Sequence, residues 1–235
     1  MPTRKPRGQA TTRAAQRATS TIPIVIMTST DPVQAGLVAS WVRPGGNITG
    51  VSSLQVALLG KRLELLKEAV PALSRIAAIW NPANPTPFVP DTQVAAQALG
   101  VQLHPLGVST LTDFEGAFAA VANARAEALI VMPDAFLQNH HTKIVDLAQR
   151  HRLRGMYPDP EYARTGGLMS YATSVLAMGH RAATFVDKIL NGANPADLPV
   201  EQAMRFQFLI NLKTAKALGI TMPPHLLTLA DEVIR

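Results

Sequence analysis

From residue 22 onward, short apolar runs rich in β-branched residues alternate with longer stretches whose apolar residues recur every three or four positions. The strand candidates are IPIVIM (22–27), RIAAIW (75–80), VQLHPLGV (101–108), ALIVM (128–132), RGMY (154–157) and LMSYA (168–172). Helix-like stretches occupy 57–70, 90–99, 112–124, 137–151 and 174–191, and a further helix is expected to start at Asp31-Pro32. Within 57–70, Leu59, Leu63, Leu66 and Val70 fall at i, i+4, i+7 and i+11, which is one stripe of a helix. Lys61, Arg62, Glu64, Lys67 and Glu68 lie mostly outside that stripe and are expected to face water. Strands separated by helix-length connections pair in parallel. The pattern therefore predicts an α/β fold with parallel sheets covered by helices on both faces.

A chain of 235 residues with 47% apolar content can bury a sizeable core, in one large domain or two lobes. No apolar run approaches the roughly 18 residues that cross a bilayer, so no transmembrane segment is expected. Cysteine is absent, which excludes disulfides, thiolate metal sites and thiol nucleophiles. The net charge of +6 suggests nucleic acid until its location is read. Arg4, Lys5, Arg7, Arg13 and Arg17 all fall in residues 1–20, which contain no acid. Removing those five leaves 17 Lys and Arg against 16 Asp and Glu, a near-neutral body. Residues 1–20 thus read as a basic, disordered arm. They lack the apolar core of a helix-turn-helix, and nucleic acid is not an expected partner. They also lack the apolar stretch of a secretory signal, so the chain as written would stay in the cytoplasm.

In open α/β sheets, ligands sit beyond the carboxyl ends of the strands. Those positions here carry short polar residues. Thr28, Ser29, Thr30 and Asp31 follow the first strand, Asn81 to Asn84 the second, and Asp134 and Phe136 the fourth. Asp159, Glu161 and Tyr162 follow RGMY, while Ser170, Tyr171 and Thr173 lie in or just past LMSYA. Each has a plain structural reading as well. Asp31-Pro32 is a helix N-cap and first-turn pair, Asp134 caps the helix near 137, and Asn81 and Asn84 are turn formers. Capping and binding are compatible, because a helix N-terminus with free amides also receives a carboxylate.

Reaction chemistry is harder to find. No G-x-G-x-x-G follows a strand, Gly60-Lys61 lacks the rest of a phosphate loop, and no G-x-S-x-G occurs. His140 and His141 are adjacent rather than four apart, so they do not form a helical metal pair. No catalytic residue, metal ligand or cofactor is predicted. An acid/base pair drawn from Asp134, Asp159 and Glu161 is the residual enzymatic reading.

Five segments carry a resemblance: TIPIVIMTSTDPVQAGLVASWVRPGGNITGVSSL, KRLELLKEAVP, NPANP, GGLMSYA and INLKTAKALGITMPPHLLTLADEVIR. Together they resemble the substrate-binding proteins of ABC transporters, in the group labelled as tryptophan/tyrosine-type. The resemblance runs from about residue 12 to the C-terminus. It implies a two-lobed, type I periplasmic-binding-protein-like α/β fold with a small molecule held in the cleft between lobes. Residues 21–73 would be a first-lobe portion, 74–172 the second lobe, and 173–235 a hinge return packing on the first lobe. Family members carry a signal sequence and further βα units before this point, so the first lobe is expected to be incomplete. Ala172 stands where the family has glycine.

By the same resemblance, Ser29 and Thr30 would hold a ligand carboxylate and Asp134 its ammonium, with Phe136 and Tyr171 as walls. Thr28, Asp31, Asn84 and Glu161 complete the expected ligand-binding set. The implied role is the solute-binding component of an importer, taking an amino acid or related carboxylate, with an ABC permease as partner and a periplasmic location. A ligand-sensing regulator of the same fold and an α/β enzyme are the alternatives.

Overall fold

The computed structural model of the chain describes residues 9–84, 86 and 88–235, with side chains from residue 12 onward. Arg4, Lys5 and Arg7 of the basic arm lie outside the described residues. In chain order the helices are α1 (Gln9–Ala18), α2 (Leu58–Ala69), α3 (Phe88–Ala98), α4 (Asp113–Asn123) and α5 (Ala135–Asn139). They continue as α6 (His141–Arg150), α7 (Pro160–Arg164), α8 (Val175–Leu190), α9 (Leu212–Ala217) and α10 (Pro224–Leu229). The strands are β1 (Ile24–Thr28), β2 (Ile48–Ser52), β3 (Arg75–Trp80), β4 (Gln102–Gly107) and β5 (Ala128–Val131). They end with β6 (Arg154–Tyr157), β7 (Met169–Thr173), β8 (Glu201–Gln202), β9 (Phe206–Asn211) and β10 (Glu232–Ile234).

The chain divides into two units. The first takes the chain up to Gln55 and again Thr173–Arg205; the second takes Val56–Ala172 and Phe206–Arg235. Two sequence expectations are corrected by this division. The helix at 57–70, assigned to the first lobe, belongs to the second unit, where Leu59, Leu63 and Leu66 enter its main apolar cluster. The tail from 206, expected to pack on the first lobe, instead supplies β9 and β10 to the second sheet. Its driving force is apolar: Phe208 and Ile210 are buried in that same cluster.

The second unit is built on a seven-stranded sheet in the order β10-β9-β7-β6-β5-β3-β4. The pairs β3–β4, β3–β5, β5–β6, β6–β7 and β9–β10 run parallel, as the alternating pattern predicts. Successive side chains of a strand point to opposite faces, so a strand covered on both sides must be apolar throughout. In β3, Ile76 and Ala78 face one cluster and Ala77 and Ile79 the other; in β5, Ala128 and Ile130 oppose Leu129 and Val131. All eight are buried. Each fully buried Ile, Leu or Val contributes about 1.5–3 kcal/mol of transfer free energy, and these strands anchor the loops that follow them.

The first unit carries a three-stranded sheet, β1-β2-β8, also parallel. One face packs Ile26, Leu37, Val38, Ile48 and Val200; the other packs Val51, Met178, Phe185 and Ala203. After β1 the expected helix does not form. Asp31 does cap, accepting Val33 N at 2.8 Å and Gln34 N at 3.1 Å, but the chain makes a single turn. Gly36 ends it at φ +65°, with Leu37 N–H returning to Pro32 O. The second half of the basic arm also departs from expectation. It is helical as α1, and Arg13 Nη2 donates to Ala35 O at 2.7 Å, so its charge serves as a strap to the body.

Gly50 sits opposite Ile26 in the β1–β2 pairing at φ +137°. A Cβ there would collide with the Ile26 backbone. Gly50→Ala adds both that collision and a strained backbone, so it is expected to destabilise the protein by about 2–3 kcal/mol, read as a lowered urea or thermal midpoint. An unchanged midpoint would contradict this packing of β1 on β2.

Candidate functional site

In the first unit, the end of β1 and the end of β2 gather hydroxyls. Thr28 is buried, and its Oγ1 lies 3.2 Å from Thr30 Oγ1. Ser52 Oγ donates to Thr30 O at 2.7 Å, Ser53 N–H to Thr28 O at 2.9 Å, and Gln55 N–H to Ser29 O at 3.0 Å. The loop holding Ser29, Thr30 and Asp31 is therefore pinned by the segment after β2. Ser52 and Ser53 were not among the predicted site residues; the NITGVSS stretch was the signal for them.

In the second unit, Asp134 is the hub. It follows β5 and caps α5, and its Oδ1 accepts Phe136 N–H at 2.8 Å and Leu137 N–H at 3.1 Å. Asn81 Nδ2 donates to the same oxygen at 3.2 Å, while Asn84 Nδ2 donates to Oδ2 at 3.0 Å. Both asparagines use the other end of the amide for their own turn: Asn81 Oδ1 accepts Ala83 N–H, and Asn84 Oδ1 accepts Thr86 N–H. A side-chain amide does both jobs from separate atoms, its nitrogen donating to a carboxylate while its oxygen accepts from a backbone amide. The loops after β3 and β5 are thus fastened together. Among the described residues Asp134 has no basic partner, so its charge is met by neutral donors alone.

Phe136 stacks on Phe114 at 6.0 Å and lies 4.5 Å from the His140 ring. His140 Nδ1 is 2.8 Å from Phe136 O and His141 Nδ1 2.9 Å from Gln138 O, which occupies both rings locally. No group of three His, Asp or Glu residues suited to a metal occurs among the described residues.

Glu161 stands apart. Its carboxylate pairs with Arg164 at 2.7 Å, Arg164 also holds Glu232 at 2.9 Å, and all three are substantially exposed. These two carboxylates hold the Arg164 guanidinium well above its ordinary value. Asp159 caps α7, accepting Glu161 N–H at 3.0 Å. Beneath it, Tyr162 stacks on Tyr157 with centroids 4.8 Å apart. The Tyr162 hydroxyl is buried with no hydrogen-bond partner among the described residues. Burial foremost, then Tyr157, Asp159 and Asp134, push it well above the ordinary phenol value, so it remains a neutral donor.

Tyr171, in β7, stacks on Phe206 at 5.6 Å and meets Phe208 edge-on at 6.3 Å. Its carbonyl accepts Arg62 Nε–H at 2.8 Å. Arg62 was expected to face water and is instead completely buried. Burial pushes its guanidinium down to about 9, with Tyr171 and Asp159 acting the other way, so the group is still a cation at neutral pH. The structure therefore places Asn84, Asp134 and Phe136 in one cluster and ties Tyr171 to Arg62, while Glu161 is spent on a surface ion pair. A cavity of about 320 Å³ in the second unit is lined by Leu153, Tyr157, Leu168 and Lys213. It lies where the chain enters β6 and β7, away from the loop of Asp134, and includes none of the predicted residues.

A family model described as ABC transporter substrate binding protein matches residues 6–234. A tyrosine-binding protein of Clostridioides difficile is 27% identical over 210 residues, 88% of this chain; the chain spans 60% of that relative's length. A crystal structure of a conserved domain protein from Vibrio cholerae aligns with a TM-score of 0.87 at 28% identity, over 96% of this chain and 76% of that one. A crystal structure of an ABC domain in complex with L-Trp from Streptococcus pneumoniae aligns with a TM-score of 0.85 at 26% identity, over 97% and 77%.

Removing the buried Arg62 charge leaves the Tyr171 carbonyl without that donor and takes away the cation that Asp159 favours. Arg62→Ala is expected to destabilise by about 3 kcal/mol in urea unfolding, and Arg62→Met, which refills the space without a charge, by much less. Equal losses in the two variants would show that the charge and hydrogen bonding lost in both, rather than volume, govern the position.

Proposed function

Because the chain belongs to the ABC transporter substrate-binding protein family, we propose that it binds an aromatic α-amino acid through its strand-end loops and presents it to a cognate permease outside the cytoplasmic membrane. The observation that carries this reading is Asp134. A carboxylate fixed by two asparagines and two backbone amides, with no basic neighbour among the described residues, is organised to receive a cation from elsewhere. Its Oδ2 accepts only the Asn84 amide among the described residues, and an ammonium group is suited to the remaining lone pair.

The other pole of an amino acid is a carboxylate. In the first unit, Thr30, beside Ser29 and backed by Thr28, offers a hydroxyl of the kind that binds one, with no charged group needed. Phe136 and Tyr171 supply flat apolar surfaces, and the relatives that bind tyrosine and L-Trp favour an aromatic side chain. Asp31 and Asn84 act through the loops they fix. Glu161 has no free charge to offer, which removes it as an ammonium partner. Nothing in these loops prepares a nucleophile or a proton transfer, and binding followed by release is the whole chemistry.

The test is ligand-induced stabilisation, which rises as RT ln(1 + [L]/Kd) and reaches about 2.7 kcal/mol at a hundredfold excess over Kd. L-Trp, L-Tyr and L-Phe are expected to raise the melting temperature, whereas indole-3-propionate, which lacks the ammonium, is expected to leave it unchanged. Asp134→Asn keeps an N-cap of equal quality but removes the charge. It is expected to weaken binding of the best amino acid roughly 10- to 100-fold by calorimetry, the range of one charge-assisted hydrogen bond. No response to any amino acid would overturn the reading, and an unchanged affinity in Asp134→Asn would remove Asp134 from it.

A further inference from the structure

The helix α8 buries one side against β1 and β2 through Met178 and Phe185, and its other side carries an apolar stripe left exposed among the described residues. Leu176, Gly179, Ala183, Val186 and Leu190 follow one another at intervals of three, four, three and four residues. That spacing keeps them on one face of a helix and is the spacing of a helix–helix seam. Leu176 is 73% exposed and Leu190 82%, with Val186 also open, far more than a solvated face requires. The two large ends flank two small residues, and among the described residues no atom outside the helix approaches within 4 Å of where a Cβ of Gly179 would stand.

The flank of the stripe indicates what covers it. His180 and Asp187 lie seven residues apart on the same edge, about 10 Å along the axis at 1.5 Å per residue. Neither forms an ion pair among the described residues, and Arg205 borders the hollow beside His180. Two copies of α8 laid antiparallel about an axis near Ala183 bring each His180 to the Asp187 of the other copy, twice over. Parallel packing sets the same edge against Ala182 and Ile189, which carry no charge. We propose that the exposed face of α8 is a homodimer interface, in which a second copy of this chain packs its own α8 antiparallel across the two-fold axis. About that axis Leu176 of one copy meets Leu190 of the other and Val186 comes opposite the space left by Gly179, as a self-complementary surface requires.

Helices of this length span about 24 Å, so the interface is small and the dimer weak. The test is sedimentation velocity on the full chain from 1 to 300 μM. A monomer–dimer equilibrium is expected, and Leu176→Glu or Leu190→Glu should leave a folded monomer, since neither side chain is buried. His180→Asp and Asp187→His are each expected to weaken the dimer at least tenfold, and the double exchange to restore it. A monomer up to 300 μM overturns the proposal, as does a dimer indifferent to Leu176→Glu. Failure of the double exchange to rescue overturns the antiparallel pairing. Large assemblies that survive the glutamate variants would assign association to the edge of β1 and overturn it as well.

Discussion

The Asp134 carboxylate is the point on which the second unit's polar architecture turns. Four donors from two loops converge on it, two of them backbone amides at the start of α5 and two of them asparagine amides from the loop after β3. A buried or half-buried carboxylate without such donors is expensive, and a single one of them contributes about 1.5–3 kcal/mol. Here the donors are neutral, so the loops are ordered and, among the described residues, no cation cancels the negative charge. A salt bridge would have ordered the same loops equally well and left nothing for a ligand. Glu161, matched by Arg164, shows that alternative a few residues away.

Arg62 is the complementary case, a cation enclosed where the sequence pattern expects a solvated face. It sits on α2, donates to the backbone of Tyr171, and senses Asp159. Tyr171 in turn rests on Phe206. The chain passes between its two units at Gln55–Val56, Ala172–Thr173 and Arg205–Phe206. Arg62, Tyr171 and Phe206 therefore fasten the second-unit ends of all three crossings to one another. The loops around Asp134 and the crossings are held by different interactions, which lets each be altered separately.

What the sequence made legible follows the physics of each segment. β3 and β5 were recognisable because a parallel strand buried on both faces is apolar along its covered length. β2 was not, because ITGVS dilutes its apolar residues with Gly50, whose role is close approach to Ile26 and has no sequence period. β9 was overlooked for a different reason: FQFLIN follows a run of loops and reads as tail until Phe208 and Ile210 are seen in the second core. The helix expected after β1 failed at Gly36, a left-handed residue that ends a turn the N-cap had begun. The polar strand-end loops of the candidate site were legible. Its pairings were not, because Asn81 and Asp134 stand 53 positions apart and Arg62 and Tyr171 stand 109 apart. No local pattern distinguishes Asp134, which has no cationic partner among the described residues, from Glu161, which has Arg164.

The central claim is that Asp134 receives the ammonium of a bound amino acid. The most direct measurement is a crystal structure of the chain grown with L-tryptophan. The account predicts the ligand nitrogen within about 2.7–2.9 Å of Asp134 Oδ2, the length of a charge-assisted hydrogen bond, with Asn84 still bonded to the same oxygen. A bound tryptophan whose ammonium contacts another acid, with Asp134 engaged only by Asn81, Asn84 and the amides of α5, would contradict it.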